Sequence, residues 1–275
     1  MFPRALAAAA LAAATLALPV FAQPKSTSAT KACGEAVTLK THDGTTTRYA
    51  LAGPREAPAG DRIALVLLVG GGGDLDLDDQ GCPRALKGNF LVRSLPHFHS
   101  EGFFTALVDA PSDHQGGDGL GGFRTSADQA ADLGLVVTDV RRRTSASVWV
   151  VGTSRGTISA AYAGRALGNK VDGVVLTSTT FRPTRQSLGL NGFPFRDIAA
   201  PLLFVHHAND ECVSCCSYSE THWMGNFPLI TVKGGEAQGN PCEAMSHHGY
   251  LGREKDVVAA IRNWAAGKPY PKTID

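Results

Sequence analysis

The sequence predicts an α/β fold with a mostly parallel eight-stranded sheet, an N-terminal antiparallel hairpin and helices on both faces. Two observations support this prediction. Six continuous apolar runs are each followed by a helix-like segment, and runs without alternation are typical of strands buried on both faces. Strands that alternate with helices also imply right-handed crossovers and a doubly wound layer.

The predicted strands follow in chain order. The first two, at residues 36–41 and 46–51, form a hairpin because Asp43-Gly44 accepts the positive φ of a tight turn. The six apolar runs are residues 63–69, 103–108, 147–151, 173–176, 202–205 and 229–232. Together they give eight strands.

Four helices are predicted between and after these strands. Thr125 or Ser126 caps a helix that reaches about residue 142. Two further helices span residues 154–167 and 253–266, and each is followed by a glycine. A fourth, at residues 89–100, is interrupted by Pro96.

Length and composition predict a single domain over residues 23–275. A chain of 275 residues with 43% hydrophobic residues buries one sizeable core. With 26 basic and 25 acidic side chains the net charge is +1, so no global field selects nucleic acid or an anionic membrane.

The N-terminal residues 1–22 predict a signal peptide. A short basic start is followed by an apolar stretch of about 16 residues and by small residues before a cut after Ala22. A retained membrane anchor is the alternative, but a bilayer span needs about 20 apolar residues. We therefore expect a periplasmic or secreted protein that keeps no stable membrane anchor after cleavage.

The cysteines favour disulfide bonds. Six lie after the predicted cut: Cys33, Cys82, Cys212, Cys215, Cys216 and Cys242. An even number in an exported chain indicates bridges, although six thiols permit about 15 pairings. A zinc site at residues 212–216 is the weaker alternative, because no second CxxC or HxxxH pair accompanies it.

A G-x-S-x-G pattern at residues 152–156 identifies Ser154 as a candidate nucleophile. Small residues on either side of a serine permit the sharp turn that lifts its Oγ above a sheet. Chance alone supplies about 0.2 such matches in a chain of this length. The predicted strand before the pattern and the predicted helix after it favour the catalytic interpretation.

The glycine-rich segment Gly70–Gly73 ends the first buried strand and predicts an oxyanion hole. A backbone without Cβ atoms can aim N–H groups at a developing negative charge, beside the N–H of the residue after the nucleophile. The candidate donors are Arg155 and one of Gly71 or Gly72. A flexible turn is the alternative, and a phosphate loop is disfavoured because no Gly-Lys-Ser/Thr follows.

Aspartates at positions 74, 76, 78 and 79 follow these glycines. Their spacing begins like a calcium loop, but position six is Asp79 rather than glycine and position twelve is Ala85 rather than glutamate. A solvated acidic loop is the preferred interpretation.

Asp210 is the candidate for the carboxylate that orients the histidine base of a serine nucleophile. It lies just past the end of a predicted buried strand, from which a carboxylate can reach a histidine. Glu211 is its nearest competitor. His206 and His207, at the end of that strand, are interpreted as structural or pocket-lining residues.

A serine nucleophile that follows a strand and precedes a helix works with an acid and a histidine base, which come in the chain order Ser, Asp, His. The candidate base is therefore sought after Asp210. His222, His247 and His248 meet this condition. His248 is preferred because the following glycine lets its loop fold closely over the site, and His247 stays as the alternative.

These features resemble the α/β-hydrolase superfamily over residues 36–266. The hairpin, six further strands, glycine-rich turn, nucleophile elbow and late Asp and His occur in that family's order. The chain is also similar to secreted bacterial hydrolases that carry one cysteine after the acid and another before the histidine. The resemblance implies a Cys212–Cys242 disulfide that joins the two catalytic loops. Cys33 and Cys82 are then a guessed second pair, and Cys215 and Cys216 are left without an assignment.

The resemblance also bears on the pocket. Only about 20 residues separate Thr180 from Pro201, so the large cap domain of many family members is not expected. Segments 74–79, 111–123 and 181–195 are then expected to wall the pocket. Arg124 and Arg155 could hold an anionic substrate group, with a surface or helix-capping role as the alternative.

The predicted function is hydrolysis of a small-molecule carboxylic ester through an acyl-enzyme, with Ser154, Asp210 and His248 as the triad. No metal or organic cofactor is expected. A secreted serine peptidase acting on peptides and a non-catalytic binding protein with the same fold are the two alternatives.

Overall fold

A nine-stranded sheet forms the centre of the computed structural model, which describes residues 1–2, 33–54, 62–185 and 187–275. The strands are β1 Glu35–Lys40, β2 Thr46–Ala52, β3 Ile63–Leu68, β4 Phe104–Val108, β5 Ser147–Thr153, β6 Gly173–Thr177, β7 Leu202–His207, β8 Leu229–Val232 and β9 Thr273–Ile274. Their spatial order is β1-β2-β4-β3-β5-β6-β7-β8-β9.

The pairing of the strands confirms the predicted sheet. β2 pairs antiparallel with both β1 and β4, whereas every other neighbouring pair from β4 to β9 is parallel. β9 is an additional strand of two residues beyond the eight predicted, and it is too short for an apolar run to indicate it.

In the described part of the chain, five α-helices connect or follow the strands: α1 Phe90–Arg93, α2 Leu95–Ser100, α3 Ala127–Thr144, α4 Gly156–Leu167 and α5 Glu254–Ala265. The Ser126 hydroxyl accepts the backbone N–H of Gln129 at 3.0 Å, so Ser126 rather than Thr125 caps α3. The helix predicted over 89–100 is two short helices, because α1 ends before Pro96, which lies in the first turn of α2.

Helices cover both faces of the sheet, as predicted. Along β3 successive side chains alternate between two cores: Ala64 and Val66 pack with the residues of α3 and α4, whereas Leu65 and Leu67 pack with those of α1, α2 and α5. All six residues of β3 are buried. A strand enclosed on both sides reads as a continuous apolar run for this reason.

Three disulfide bonds pair all six cysteines: Cys33–Cys82, Cys212–Cys242 and Cys215–Cys216. Cys212–Cys242 is the pair that the resemblance implied, Cys33–Cys82 is the pair that was guessed, and the third bridge joins adjacent residues. The cluster at residues 212–216 therefore offers no free thiolate to zinc.

The connection between β6 and β7 contains one 3-10 turn, Phe195–Asp197, and no α-helix among its described residues, 178–185 and 187–201. The predicted signal peptide lies outside the described part of the chain apart from residues 1–2. Within the described ranges, no helix combines the length and apolarity that a membrane crossing requires.

Candidate active site

Ser154 lies in the two-residue turn between β5 and α4. Its φ is +50°, a left-handed value that a residue with a Cβ adopts only when its surroundings impose it. Its backbone N–H donates to the carbonyl of Thr177 at 3.0 Å, which ties the turn to the end of β6. The turn therefore has the strained geometry expected of a nucleophile elbow.

Glycines surround this turn because neighbouring backbone leaves no room for a Cβ. A Cβ on Gly156 would lie 2.0 Å from the carbonyl oxygen of Leu68, and a Cβ on Gly152 would lie 2.4 Å from the carbonyl oxygen of Gly156. A Cβ on Gly70 would lie 2.9 Å from the Cβ of Ser154. The glycines of the motif and of the glycine-rich turn thus allow β3, β5 and α4 to meet around the serine.

His248 and Asp210 form a buried pair. His248 Nδ1 lies 2.8 Å from Asp210 Oδ2, a hydrogen bond in which the ring nitrogen donates. The side chains of His248 and Asp210 are 5% and 0% exposed. His248 Nε2 is buried and has no hydrogen-bond partner among the described residues, so it is available as a proton acceptor.

Two further groups contact the Asp210 carboxylate. The backbone N–H of Cys212 donates to Oδ1 at 3.0 Å, and His206 Nε2 lies 3.5 Å from Oδ2. Burial alone would raise the pKa of Asp210, but the interactions with His206 and His248 outweigh it and hold that pKa below its usual range. The carboxylate therefore stays ionised at neutral pH and accepts the Nδ1 proton of His248.

His247 is directed elsewhere. Its Nδ1 lies 3.2 Å from the carbonyl oxygen of Asn209, and its ring stacks on His207 with centroids 4.3 Å apart. The structure thus pairs Asp210 with His248 and not with the alternative histidine. Gly249, the glycine that follows His248, allows the loop to fold closely as expected, because a Cβ at this position would lie 1.8 Å from the carbonyl oxygen of Ala244.

Ser178 and Tyr250 hold the histidine loop in place, and the sequence analysis did not identify either. The Ser178 hydroxyl donates to the carbonyl of His248 at 2.7 Å, and its backbone N–H donates to the Tyr250 hydroxyl at 2.9 Å. That hydroxyl in turn donates to the carbonyl of Val205 at 2.7 Å. The only sequence signal is the polar run at residues 177–180, which begins at the end of β6 and contains no carboxylate.

The glycine-rich turn is held from beneath by Arg124. This arginine is 1% exposed and donates to the carbonyl oxygen of Gly71 at 3.1 Å and to the Ser159 hydroxyl at 2.9 Å. Gly71 lines the same cavity as Ser154 and Arg155, whereas Gly72 does not. Of the two glycines predicted as oxyanion donors, the structure thus brings Gly71 to the site.

Ser154 and His248 line one open cavity of about 520 Å³. Its remaining wall has both apolar and polar side chains and comes from residues 70–71, 86, 88–90, 153, 155, 184, 214–215, 242–245 and 249. The predicted walls were largely wrong: segments 74–79 and 111–123 do not line this cavity, and Thr184 alone represents segment 181–195.

The two arginines considered for substrate binding differ in position. Arg155 lines the cavity, where burial lowers its pKa while Asp118 and Glu243 act in the opposite direction. Arg124 lies behind the glycine-rich turn and does not reach the cavity, so its predicted contact with substrate is wrong. The buried guanidinium of Arg124 donates instead to backbone carbonyls of the turn.

The aspartate run is a hydrogen-bonded loop. Asp74 accepts the N–H of Gly116 at 2.6 Å, Asp78 accepts that of Cys82 at 2.9 Å, and Asp76 pairs with Arg84 at 3.6 Å. These carboxylates act on separate partners and do not converge as calcium ligands would.

Comparisons with known proteins show what the fold resembles. No protein-family model matches the sequence, and no curated protein matches it either. An α/β serine hydrolase without a lid from Xanthomonas campestris shares 16% identity, with a TM-score of 0.55 over 84% of this chain and 93% of that one. A cold-adapted esterase from an Arctic intertidal metagenomic library shares 15%, with a TM-score of 0.57 over 85% and 92%. Est1E from Butyrivibrio proteoclasticus, solved with ferulic acid bound, shares 16%, with a TM-score of 0.55 over 85% and 99%.

Proposed function

We propose that this chain, which has the α/β-hydrolase fold, is a serine hydrolase that cleaves a small-molecule carboxylic ester. The observation that carries the proposal is the arrangement of Ser154 and His248 at one cavity, with Asp210 buried behind the histidine. Ser154 lies on a strained elbow, and Asp210 orients His248 so that its Nε2 is buried without a partner. Buried polar atoms normally have a hydrogen-bond partner, so an unsatisfied His248 Nε2 needs an explanation. A role as the acceptor of the Ser154 proton supplies one.

In the proposed reaction the Ser154 Oγ attacks the ester carbonyl carbon as its proton passes to His248 Nε2. Asp210 holds the productive tautomer and stabilises the imidazolium that forms. The imidazolium then protonates the departing alcohol, which leaves an acyl group on Ser154. Water then attacks the acyl carbon as its proton passes to His248 Nε2. His248 returns this proton to Ser154 Oγ as the acyl–oxygen bond breaks and the carboxylic acid leaves.

The developing oxyanion is stabilised by backbone N–H groups of Gly71 and Arg155. Both residues line the cavity beside Ser154, and the carbonyl of Gly71 is held on the far side by Arg124. In a trans peptide unit the C=O and the N–H point in opposite directions, so the hold on the Gly71 carbonyl fixes the N–H of Gly72, the next residue of the glycine-rich turn. Fixed donors of this kind need no reorganisation during the reaction.

The volume and the lining of the cavity suit an ester of modest size. Leu86, Phe90 and Met245 provide an apolar side for an acyl chain or ring, whereas Arg155 and Thr184 provide polar groups. The cavity is open and no cap helix covers it within the described residues, so a substrate reaches Ser154 directly. The solved esterases with the same fold support the ester class.

The same proposal places the protein in the periplasm or outside the cell. The basic, apolar and small-residue order of residues 1–22 is that of an export signal. Three disulfides that use every cysteine suit an oxidising compartment. Detection of a mature N-terminus after Ala22 in a periplasmic or culture-medium fraction tests this part.

Hydrolysis of nitrophenyl esters of increasing acyl length by the mature protein tests the activity. We expect turnover that falls by about 10³-fold or more in Ser154→Ala, because the nucleophile is then absent. The chain-length optimum measures the apolar side of the cavity.

Ser219→Ala is the matched control, since Ser219 is exposed and lies outside the cavity. It should retain the full rate. Turnover that survives in Ser154→Ala would refute the assignment. A fluorophosphonate label on Ser154 without ester turnover would support a serine hydrolase whose substrate is an amide.

A further inference from the structure

A second cluster of polar side chains lies away from Ser154, between the β1–β2 hairpin and the loop after β4. His42 is in the 3-10 turn of the hairpin, and Asp113 and His114 are in the loop. Their candidate ligand atoms all lie within 4.8 Å of one another. Neither the proposed triad nor its cavity uses any of the three.

The distances in this cluster suit a small tetrahedral ion. His42 Nε2 lies 3.1 Å from Asp113 Oδ2, and His114 Nε2 lies 3.7 Å from the same oxygen. Ligand bonds of about 2.0–2.1 Å at a tetrahedral zinc place neighbouring ligand atoms about 3.3 Å apart. Small rotations of the side chains would therefore bring the three atoms onto one ion.

His42 is oriented by a buried carboxylate in the way that zinc-binding histidines are. Its Nδ1 lies 2.6 Å from Asp132 Oδ2, and its backbone N–H donates to Asp132 Oδ1 at 3.0 Å. The Asp132 side chain is 5% exposed. A carboxylate that accepts the Nδ1 proton fixes the tautomer whose Nε2 is free to bind a metal, and raises the basicity of that nitrogen.

Phe123 holds both imidazole rings. His114 stacks on it with centroids 4.1 Å apart, and the His42 ring packs on it at 5.0 Å. Two rings fixed in advance lose less conformational entropy when they bind a ligand. The Asp113 side chain is 42% exposed and that of His114 is 29% exposed, so an ion and its water ligands have access from solvent.

We propose that His42, Asp113 and His114 form a zinc site, with Asp132 as the residue that orients His42 and water as the remaining ligand. Two imidazoles and one carboxylate are ligands that zinc prefers. The competing arrangement is a protonated His42 that bridges Asp113 and Asp132 as an ion pair. That arrangement is built on one histidine and involves His114 only through the 3.7 Å approach of its Nε2 to Asp113.

The position of the site implies a structural effect on the loop after β4, which contacts the glycine-rich turn. Downstream of His114, the backbone N–H of Leu120 donates to the carbonyl of Gly72 at 2.8 Å. A metal bound by residues 113–114 and by the hairpin therefore fixes one end of a loop whose other end supports this turn. The inference does not depend on the proposed hydrolase activity.

Equilibrium dialysis of the mature, tag-free, oxidised protein tests the site. After chelator treatment, we expect one zinc per chain at about 1 μM free Zn²⁺, measured by elemental analysis. The same protein with Co²⁺ should show visible d–d bands of a four- or five-coordinate ion. Saturating zinc should raise the Tm by about 5–10 °C.

Three variants make the test specific. His114→Asn and Asp113→Asn should each weaken zinc binding at least about tenfold and abolish the Co²⁺ bands. His222→Asn is the control, because His222 is exposed in the 3-10 helix Tyr218–Met224 and should bind zinc as the unmodified protein does. Far-UV circular dichroism verifies that each variant is folded.

Less than about one-tenth of an equivalent of zinc on the folded, unmodified protein would overturn the proposal. Equal loss of zinc in His222→Asn and His114→Asn would overturn it as well, since binding would then be spread over surface histidines. Retention of ester turnover in zinc-free protein would leave the proposed hydrolase activity intact, which separates the two proposals.

Discussion

Asp210 carries an unusually dense set of interactions for one carboxylate. It accepts a hydrogen bond from His248, lies 3.5 Å from His206 Nε2 and accepts the N–H of Cys212. These interactions stabilise the ionised form against the cost of burial. The consequence is a fixed negative charge directly behind the proposed base.

Replacement of Asp210 by asparagine tests this charge at the level of one residue. Asp210→Asn keeps the size of the side chain but favours the wrong tautomer of His248, so we expect kcat to fall by about 10³–10⁴-fold. Steady-state kinetics with a nitrophenyl ester measure the effect. Asp197→Asn, at an exposed position, should keep the full rate. A loss of less than about tenfold in Asp210→Asn would contradict the role.

Arg124 provides a second test at this scale. It is buried and donates to the carbonyls that shape the glycine-rich turn. Arg124→Met should lower kcat by about 10–100-fold with a smaller change in KM, because the peptide unit between Gly71 and Gly72 is no longer held and the glycine-rich turn loses its fixed shape. Arg165→Met, an exposed arginine on α4, is the control. Equal kcat in both variants would refute a positioning role for Arg124.

At the scale of elements, the contact between β3, β5 and α4 depends on the absence of side chains. Gly156→Ala would place a Cβ against the carbonyl oxygen of Leu68, so β3 and α4 would have to separate. We expect a loss of about 4 kcal/mol or more in the free energy of unfolding, or no soluble protein. Urea denaturation measures the loss.

Gly122→Ala is the matched control for this prediction, because an added Cβ at Gly122 meets no atom within 4 Å. Its free energy of unfolding should stay within about 1 kcal/mol of the original. Similar stability of the two variants would mean that the close approach at Gly156 is not required.

A partly exposed network of charges, anchored on the buried Tyr49, joins β2 to α3. Asp139 accepts hydrogen bonds from the hydroxyl of Tyr49 at 2.5 Å and from Arg142 and Arg143 at 2.6 and 2.7 Å. Burial raises the pKa of Asp139, but these hydrogen bonds outweigh it and lower that pKa to about 2. In an unfolded chain the pKa of an aspartate is about 3.9.

The stabilisation from Asp139 is therefore present above pH about 4 and is lost as the pH falls from about 4 to about 2. Asp139→Asn should lower the free energy of unfolding by about 1–2 kcal/mol at pH 7, and the difference from the unmodified protein should shrink at pH about 3. Urea denaturation at the two pH values measures it. Asp43→Asn, at an exposed turn residue, should show no such pH dependence. A difference that stays constant with pH would contradict this assignment.

Across the whole molecule, the sequence predicted features that local patterns encode. Strands such as β3 and β5 are enclosed on both faces, so their apolar runs are visible without knowledge of their neighbours. The turn at Ser154 was also predictable, because the glycines that it requires are adjacent in the chain. The antiparallel start of the sheet followed from the Asp43-Gly44 turn.

Features that depend on distant contacts were not predictable. The cavity wall joins residues 86–90 to residues 242–249, and no local pattern reveals that these segments meet. His42 and Asp113 are likewise 71 positions apart. Ser178 and Tyr250 hold the loop of His248, the proposed base, through hydrogen bonds that only the folded chain creates.

The most direct test of the central claim is covalent labelling by a fluorophosphonate, followed by peptide mass spectrometry. We predict one label per chain, located on Ser154, with no labelling of Ser154→Ala and strongly slowed labelling of His248→Gln. The label requires an activated serine and no knowledge of the substrate. A folded protein that remains unlabelled, or a label on another residue, would contradict the proposed triad.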